Sequence, residues 1–141
     1  MLVQLLYCSS AVSHTDRETI AEILQQSCRN NPRAGITGVL CFTERFFIQL
    51  LEGGRPQVNA LYARLIRDPR HSDVTLLHYS EIGERRYSGW VMGQVDLEKL
   101  NPATLLRYSA SAAFDPYLMP GTTSLALVDE LLLSASVVGG A

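Results

Sequence analysis

An α/β sandwich of ferredoxin-like topology, built on a five-stranded mixed sheet, is the fold class this sequence predicts. Three observations predict it. Short apolar runs alternate with stretches whose apolar residues recur at helical spacing. Helix start and stop signals separate the two kinds of segment. The resulting order is β-α-β-β-α-β-β, with two crossover helices on one face of the sheet and a C-terminal helical appendage left to cover the other.

The first strand is LVQLLY, residues 2–7. Thr15 and Glu18 then stand three apart, as a capping box requires, and open a helix. Ile20, Ile23, Leu24 and Ser27 share one face of it. Asn30-Asn31-Pro32 ends it, because a residue before proline avoids the α region. GITGVLCF (35–42) reads as the second strand, Thr43-Glu44-Arg45 as a turn and residues 46–51 as the third strand. Gly53-Gly54 breaks that strand, and Pro56 suits the first turn of a second helix. Its stripe is Val58, Leu61, Tyr62, Leu65 and Ile66, and Asp68-Pro69 stops it. VTLLHYSEI (74–82) and WVMGQV (90–95) are the fourth and fifth strands. Strands one and three are expected to be adjacent and parallel, and the place of the fifth is left open.

Residues 1–97 read as the sandwich and 98–141 as a two-helix extension with a frayed tail. Asn101-Pro102 caps the first of those helices, to about Arg107. Leu125, Val128, Leu131 and Leu132 mark the second.

A chain of 141 residues can bury a substantial core without disulfides or metal. Net charge is −2 and no Lys/Arg block occurs, which argues against nucleic acid. The longest apolar run is too short to span a bilayer, and the N-terminus has no basic n-region, so a cytoplasmic protein is expected. Cys8, Cys28 and Cys41 form no C-x-x-C pair and read as buried thiols in a reducing compartment. His14, His71 and His78 lack metal-ligand spacing, and no phosphate loop or nucleophile elbow is present.

One residue is out of place. Gln49 sits in the apolar run FFIQLL, where an unpartnered amide costs roughly 2–7 kcal/mol. Alternation puts it on one face with Phe47 and Leu51, and Tyr7 of the neighbouring strand lies within reach. Asn31, Ser27, Arg64, Asp68, Arg70 and His71 converge on the groove between the two helices. That grouping fits a flat ligand met by amides at its edges. Taken singly, each residue has a plainer reading. Tyr7 suits a core tyrosine, Gln49 an amide satisfied by a strand or water, Asn31 a helix-ending residue, and Trp90 and Met92 core packing.

Five ordered motifs decide between those readings. YCSSA (7–11) resembles the Y-x-S-x-A opening of the BLUF domain, the blue-light receptors using flavin. NNPRAGITGVL is similar to its N-x-x-x-G-I-T-G-x-L segment, and FFIQLLEG to its F-x-Q-x-L-E-G signature. RDPRHSDV and RRYSGWVM match two further segments, so the resemblance runs from residue 2 to about residue 96. RYSASAAFDPYLM is similar, more loosely, to the tail of the short BLUF proteins of the PixD type.

The resemblance implies a non-covalent flavin, FAD with FMN also open. Asn31 would meet the pyrimidine edge and Gln49 the C4 carbonyl and N5 region. Asn30, Arg64, Asp68, Arg70 and His71 would meet the ring edge, ribityl chain or phosphate end. Ile23, Ser27 and Leu65 would line the ring. The photochemical residues would be Tyr7 and Gln49, with Trp90 and Met92 beside them. Tyr7 would give up an electron and a proton through Gln49, leaving the amide rotated or tautomerised. The change would reach the C-terminal helices through Trp90 and Met92. No enzymatic activity is expected of the chain. The partners implied are further copies of the chain, in a ring-like oligomer, and a response-regulator-like protein. A small flavin-dependent oxidoreductase and a cofactor-free ferredoxin-like interaction module are the alternatives.

Overall fold

The computed structural model describes residues 1–11, 22, 26, 30, 31, 33–86 and 93–133. Its strands are β1 (Leu2–Ala11), β2 (Thr37–Phe42), β3 (Phe46–Gly54), β4 (His71–Ile82) and β5 (Gly93–Asp96). Its helices are α1 (Arg55–Ile66), α2 (Pro102–Leu106) and α3 (Gly121–Leu133), with single 3-10 turns at Leu97–Lys99 and Pro116–Leu118. Glu22, Gln26 and Asn30 are helical and exposed. The remainder of the helix expected near residues 15–30, including its capping box, lies outside the described residues, as do Trp90, Met92 and the tail from residue 134.

The sheet order is β4-β1-β3-β2-β5. β2 and β5 are parallel, and every other neighbouring pair is antiparallel. The sheet is therefore mixed, as expected, but β1 and β3 are antiparallel rather than parallel. The reason is the tight connection at residues 43–45. Thr43 Oγ1 accepts from the backbone N–H of Arg45 and Phe46 at 3.1 and 3.0 Å, turning β3 back along β2. β1 and β2 run the same way one slot apart, and β3 fills the slot antiparallel to both.

Three strands are longer than their apolar runs. β1 continues to Ala11 and β4 begins at His71. β3 does not break at its glycines, because Gly53 and Gly54 pair with Val3 and Leu2. A ladder needs backbone groups, and a missing side chain does not end it. At Gly53 the missing Cβ makes room instead: one placed there would lie 3.0 Å from the Gly35 carbonyl oxygen and 3.3 Å from Val58 Cγ2 of α1.

Both faces of the sheet are covered. Val3, Leu5, Tyr7, Leu40, Phe47 and Leu51 pack with Val58 and with Leu61, Tyr62 and Leu65 of α1. Leu6, Val39, Cys41, Ile48, Leu50 and Val95 face the other way, onto Leu105 of α2 and Leu127, Val128 and Leu131 of α3. The extension thus shares one core with the sheet. Gln4 and Glu52 are also buried on this second face. Glu52 accepts from Gln4 Nε2 at 2.9 Å and from the Arg86 N–H at 3.0 Å, so each carboxylate oxygen has a donor. An Arg86–Asp129 ion pair at 3.0 Å ties the segment after β4 to α3.

Leu127 is 1 % exposed on α3. Leu127→Ala should lower unfolding stability by about 2–5 kcal/mol in a urea titration, the range for a cavity in a tightly packed core. A loss below about 1 kcal/mol would mean that α3 lies only loosely on the sheet.

Candidate functional site

Gln49 belongs to the face of β3 that looks at α1, and it is 3 % exposed. The β1–β3 register places Tyr7 directly opposite it. Facing residues of an antiparallel pair stand close enough for long side chains to meet. They do so here: Tyr7 Oη donates to Gln49 Oε1 at 2.5 Å, between two buried groups. The bond sets which end of the amide faces the phenol, and the amide nitrogen points away from it. Burial pushes the Tyr7 hydroxyl far above the ordinary phenol range. The Asp68 carboxylate and Tyr62 add to that, and Arg70 opposes it. Tyr7 is thus held as a neutral proton donor.

Around the phenol the packing is aromatic. Tyr62 of α1 lies tilted against Tyr7 at 5.7 Å between centroids. His71 meets Tyr7 edge-on at 6.2 Å and Phe47 at 6.4 Å. Both ring nitrogens of His71 are engaged, Nε2 with the Leu65 carbonyl oxygen at 2.5 Å and Nδ1 with Ser9 Oγ at 2.8 Å. The carbonyl can only accept, so Nε2 donates to it, and Nδ1 is the ring nitrogen paired with the Ser9 hydroxyl. His71 therefore clips the C-terminal end of α1 to β1, two residues beyond Tyr7.

Above this floor lies a cavity of about 190 Å³. Its polar wall is the amides Gln26, Asn30, Asn31 and Gln49, its apolar wall Leu61 and Leu65, and its rim Arg64, Asp68 and Arg70. Asn31 is 3 % exposed. Its backbone carbonyl accepts from the N–H groups of Ala34 and Ile36 at 3.1 and 2.8 Å, which ends the helical turn at Asn30. Its side-chain Nδ2 is buried without a partner. A donor left unmet in this way costs about 1–3 kcal/mol, which is the signature of a site built to receive an acceptor.

At the rim, Arg70 Nε and Nη2 grip the Asp68 carboxylate at 2.9 and 2.5 Å, and Nη2 also donates to Gln26 at 2.8 Å. That charge-assisted bond holds the Asp68 carboxyl below the usual carboxylate range, with burial opposing it. Beyond the rim a wider groove is lined by Gln26, Arg64, Arg67, Asp68, Pro69 and Arg70, a mouth with net positive charge in which Asp68 offsets Arg70.

The fold thus brings Asn30, Asn31, Gln49, Arg64, Leu65, Asp68 and Arg70 around one cavity. Tyr7 and His71 sit beneath it, in a small recess with Leu40 and Phe47. Ile23, Ser27, Trp90 and Met92 lie outside the described residues. Four participants escaped the sequence reading. Gln26 stands one helical turn before Asn30, a spacing that marks it. Leu61 was in the apolar stripe and only lacked an assignment. Ser9 stands in the YCSSA motif but beyond residue 7, where the apolar run ends, four residues before the strand does. Arg67 carried no signal beyond its charge. Among the described residues no cluster of His, Cys, Asp or Glu could hold a metal ion. Cys8 and Cys41 are buried, with thiols pushed up to about 11 and about 12 by burial, and so carry no thiolate at neutral pH. Cys28 lies outside the described residues.

The model of the BLUF family, described as sensors of blue light using FAD, matches residues 2–93. The beta subunit of a photoactivated adenylate cyclase from Euglena gracilis is 37% identical over 100 residues, 70% of this chain and 12% of that protein. The blue light- and temperature-regulated antirepressor BluF of Escherichia coli K12 is 33% identical over 97 residues, 69% of this chain and 24% of that one. The chain thus spans a small part of these relatives' length. Among solved structures, BlsA in its photo-activated state superimposes with a TM-score of 0.85 at 26% identity, covering 96% of this chain and 98% of that one. BlrB in its dark state gives 0.78 at 27% identity, covering 93% and 94%.

The depressed acidity of Asp68 fixes the sign of a pH effect. The folded value lies below the unfolded one, so the Asp68–Arg70 pair stabilises the fold above about pH 4 and stops doing so as pH falls through the lowered value. Wild type should therefore melt higher than Asp68→Asn at neutral pH, and the gap should close below about pH 4. A gap that is constant across the titration would mean that the carboxylate's charge contributes nothing there.

Proposed function

The chain belongs to the BLUF family of flavin-binding blue-light sensors, and from that membership we propose that Tyr7 and Gln49 form its photochemical switch. The single observation that carries the reading is the buried 2.5 Å bond from Tyr7 Oη to Gln49 Oε1, at the floor of a cavity lined by amides and leucines. The residues present fit a flavin. The unmet Asn31 Nδ2 suits a carbonyl on the pyrimidine edge of a flat ring. Leu61 and Leu65 supply an apolar face, and Arg64 and Arg67 a cationic mouth for phosphate beside the Asp68–Arg70 pair. That mouth continues beyond the cavity and suits the phosphate end of FAD or FMN.

When bound, the flavin supplies a blue-absorbing ring whose excited state is an oxidant. Tyr7 is the donor beneath it. Once an electron leaves, the phenol becomes strongly acidic, and its proton has one short path, to Gln49 Oε1. The aromatic and aliphatic packing around Tyr7 keeps water from supplying another. Gln49 has an acceptor end and a donor end, so reversing or tautomerising its amide exchanges its hydrogen bonds. Two bonding patterns of one side chain are the two states of the sensor. The energetic difference is on the order of one or two hydrogen bonds, roughly 1–3 kcal/mol, enough to bias a two-state element.

The output of such a switch is a protein contact. Relatives of this chain include a light-activated cyclase subunit and a light-regulated antirepressor. For this chain the resemblance implies further copies of itself and a response-regulator-like protein as partners, with the 98–141 extension as the element that reports the change.

Absorption spectra before and after blue light test the reading. Wild type should be yellow, shift to the red on illumination and recover in darkness. Tyr7→Phe and Gln49→Leu should each retain flavin and lose the shift. A normal photocycle in either variant would remove that residue from the switch.

A further inference from the structure

The ladder between β1 and β4 is interrupted twice, on either side of the Tyr7–Cys8 pair of residues, and Ser9 lies within the second interruption. Leu6 opposes His78 while Tyr7 opposes Leu76, so Leu77 is an extra residue. Cys8 opposes Thr75 while Ser10 opposes Ser72, so Asp73 and Val74 together face Ser9. Asp73 takes a left-handed backbone, with φ of 53°, where a residue with a Cβ is uncommon. At bulges of this kind the ladder is locally disrupted and the strand bends, which makes them softer points than the paired ladder on either side.

Both bulges are held by the same short piece of the C-terminal extension. Tyr117 Oη donates to the Asp73 carbonyl oxygen at 2.8 Å and accepts from Ser10 Oγ at 3.0 Å. Four residues on, Gly121 begins α3 against the backbone of Leu77, so closely that a Cβ there would lie 1.9 Å from the Leu77 carbonyl oxygen. The Tyr117 ring also packs edge-on against Phe46 of β3 at 5.9 Å, and Asp115 caps the turn that presents it. The two residues after Cys8 are therefore clamped from opposite faces of the sheet. Ser9 is bonded to His71 on the cavity side, and Ser10 to Tyr117 on the α3 side.

We propose that Tyr117 is a positioning residue of the photocycle: its hydroxyl holds the β4 bulges in the register that keeps Tyr7 on Gln49, and hands changes at Tyr7 to α3. The proposal rests on the reading of Tyr7 and Gln49 as the switch. It places a route to the extension at the β4 edge of the sheet, away from β5. A displacement of β1 at Tyr7 has its nearest soft points at Leu77 and Asp73. Each of these touches the segment that leads into α3, whose Leu127 and Leu131 lie in the core beneath Leu6 and Leu50.

Tyr117→Phe and Ser10→Ala test this in the full chain loaded with FAD. The first keeps the ring and its contact with Phe46; the second keeps Tyr117 whole. Hydrogen exchange in the dark should show the amides around Asp73–Leu77 opening about five-fold faster in Tyr117→Phe, the loss expected for one ordinary hydrogen bond. Dark recovery after blue light should change by a similar factor, with the red shift itself retained. Ser10→Ala should move both readouts the same way by less, and it carries the test alone if Tyr117→Phe does not fold. Exchange and recovery both within about two-fold of wild type would overturn the proposal. A wild type that shows no red shift would sink the Tyr7–Gln49 reading instead, and the dark exchange would still report on the Tyr117 clamp.

Discussion

A phenol and a carboxamide facing each other across two antiparallel strands, both out of water, are the constraint on which this molecule is organised. The register that opposes Tyr7 to Gln49 also aligns the nine-residue pairing of β1 with β3 at the centre of the sheet. A slip of one residue between the two strands would leave Tyr7 and Gln49 on opposite faces, the displaced group among leucines and neither with the other as partner. The hydrogen bond is therefore guarded by the apolar pattern of two strands. The apolar pattern in turn keeps the bond dry, and a dry bond is strong and directional. A polar switch in such a place can hold two bonding patterns without water averaging them.

The two faces of the sheet handle buried polarity differently. On the α3 face, Glu52 and Gln4 are closed: each carboxylate oxygen has a donor, one of them a backbone N–H from the segment after β4. On the α1 face, Asn31 keeps an unmet donor beside a cavity. Closed polar groups specify a structure, whereas an open one specifies a ligand. The same contrast separates His71 from Arg64. The histidine bears two engaged nitrogens and joins helix to strand, while the exposed arginine stands at a cationic mouth.

The extension that covers the second face is part of the core and also touches the sheet at its least regular points. Aliphatic burial fixes α3 in place, and the hydroxyl of Tyr117 and the bare Cα of Gly121 meet the two bulges of β4. Tight packing transmits small shifts because it has little room to absorb them. An element that is both well packed and in contact with the bulges is coupled to the register of β1 and β4.

The sequence alone determined the order of elements, the two-sided burial of the sheet, the family and the anomalous glutamine. Each depends on local pattern: periodicity of two or of about four, turn chemistry at Thr43 and Pro56, and short motifs that need no neighbour to be read. Strand direction, the true ends of β1, β3 and β4, and the membership of Gln26, Leu61, Ser9 and Arg67 in the site were decided only by the tertiary structure. The physical reason is that a ladder is a bond between distant segments. Val3 and Leu2 keep Gly53 and Gly54 in a strand that their own propensity would end. The insertion of β3 between β1 and β2 turns an expected parallel pair into an antiparallel one. Asp73 and Leu77 look ordinary in the chain and become bulges only because β1 has one residue fewer to offer at each point.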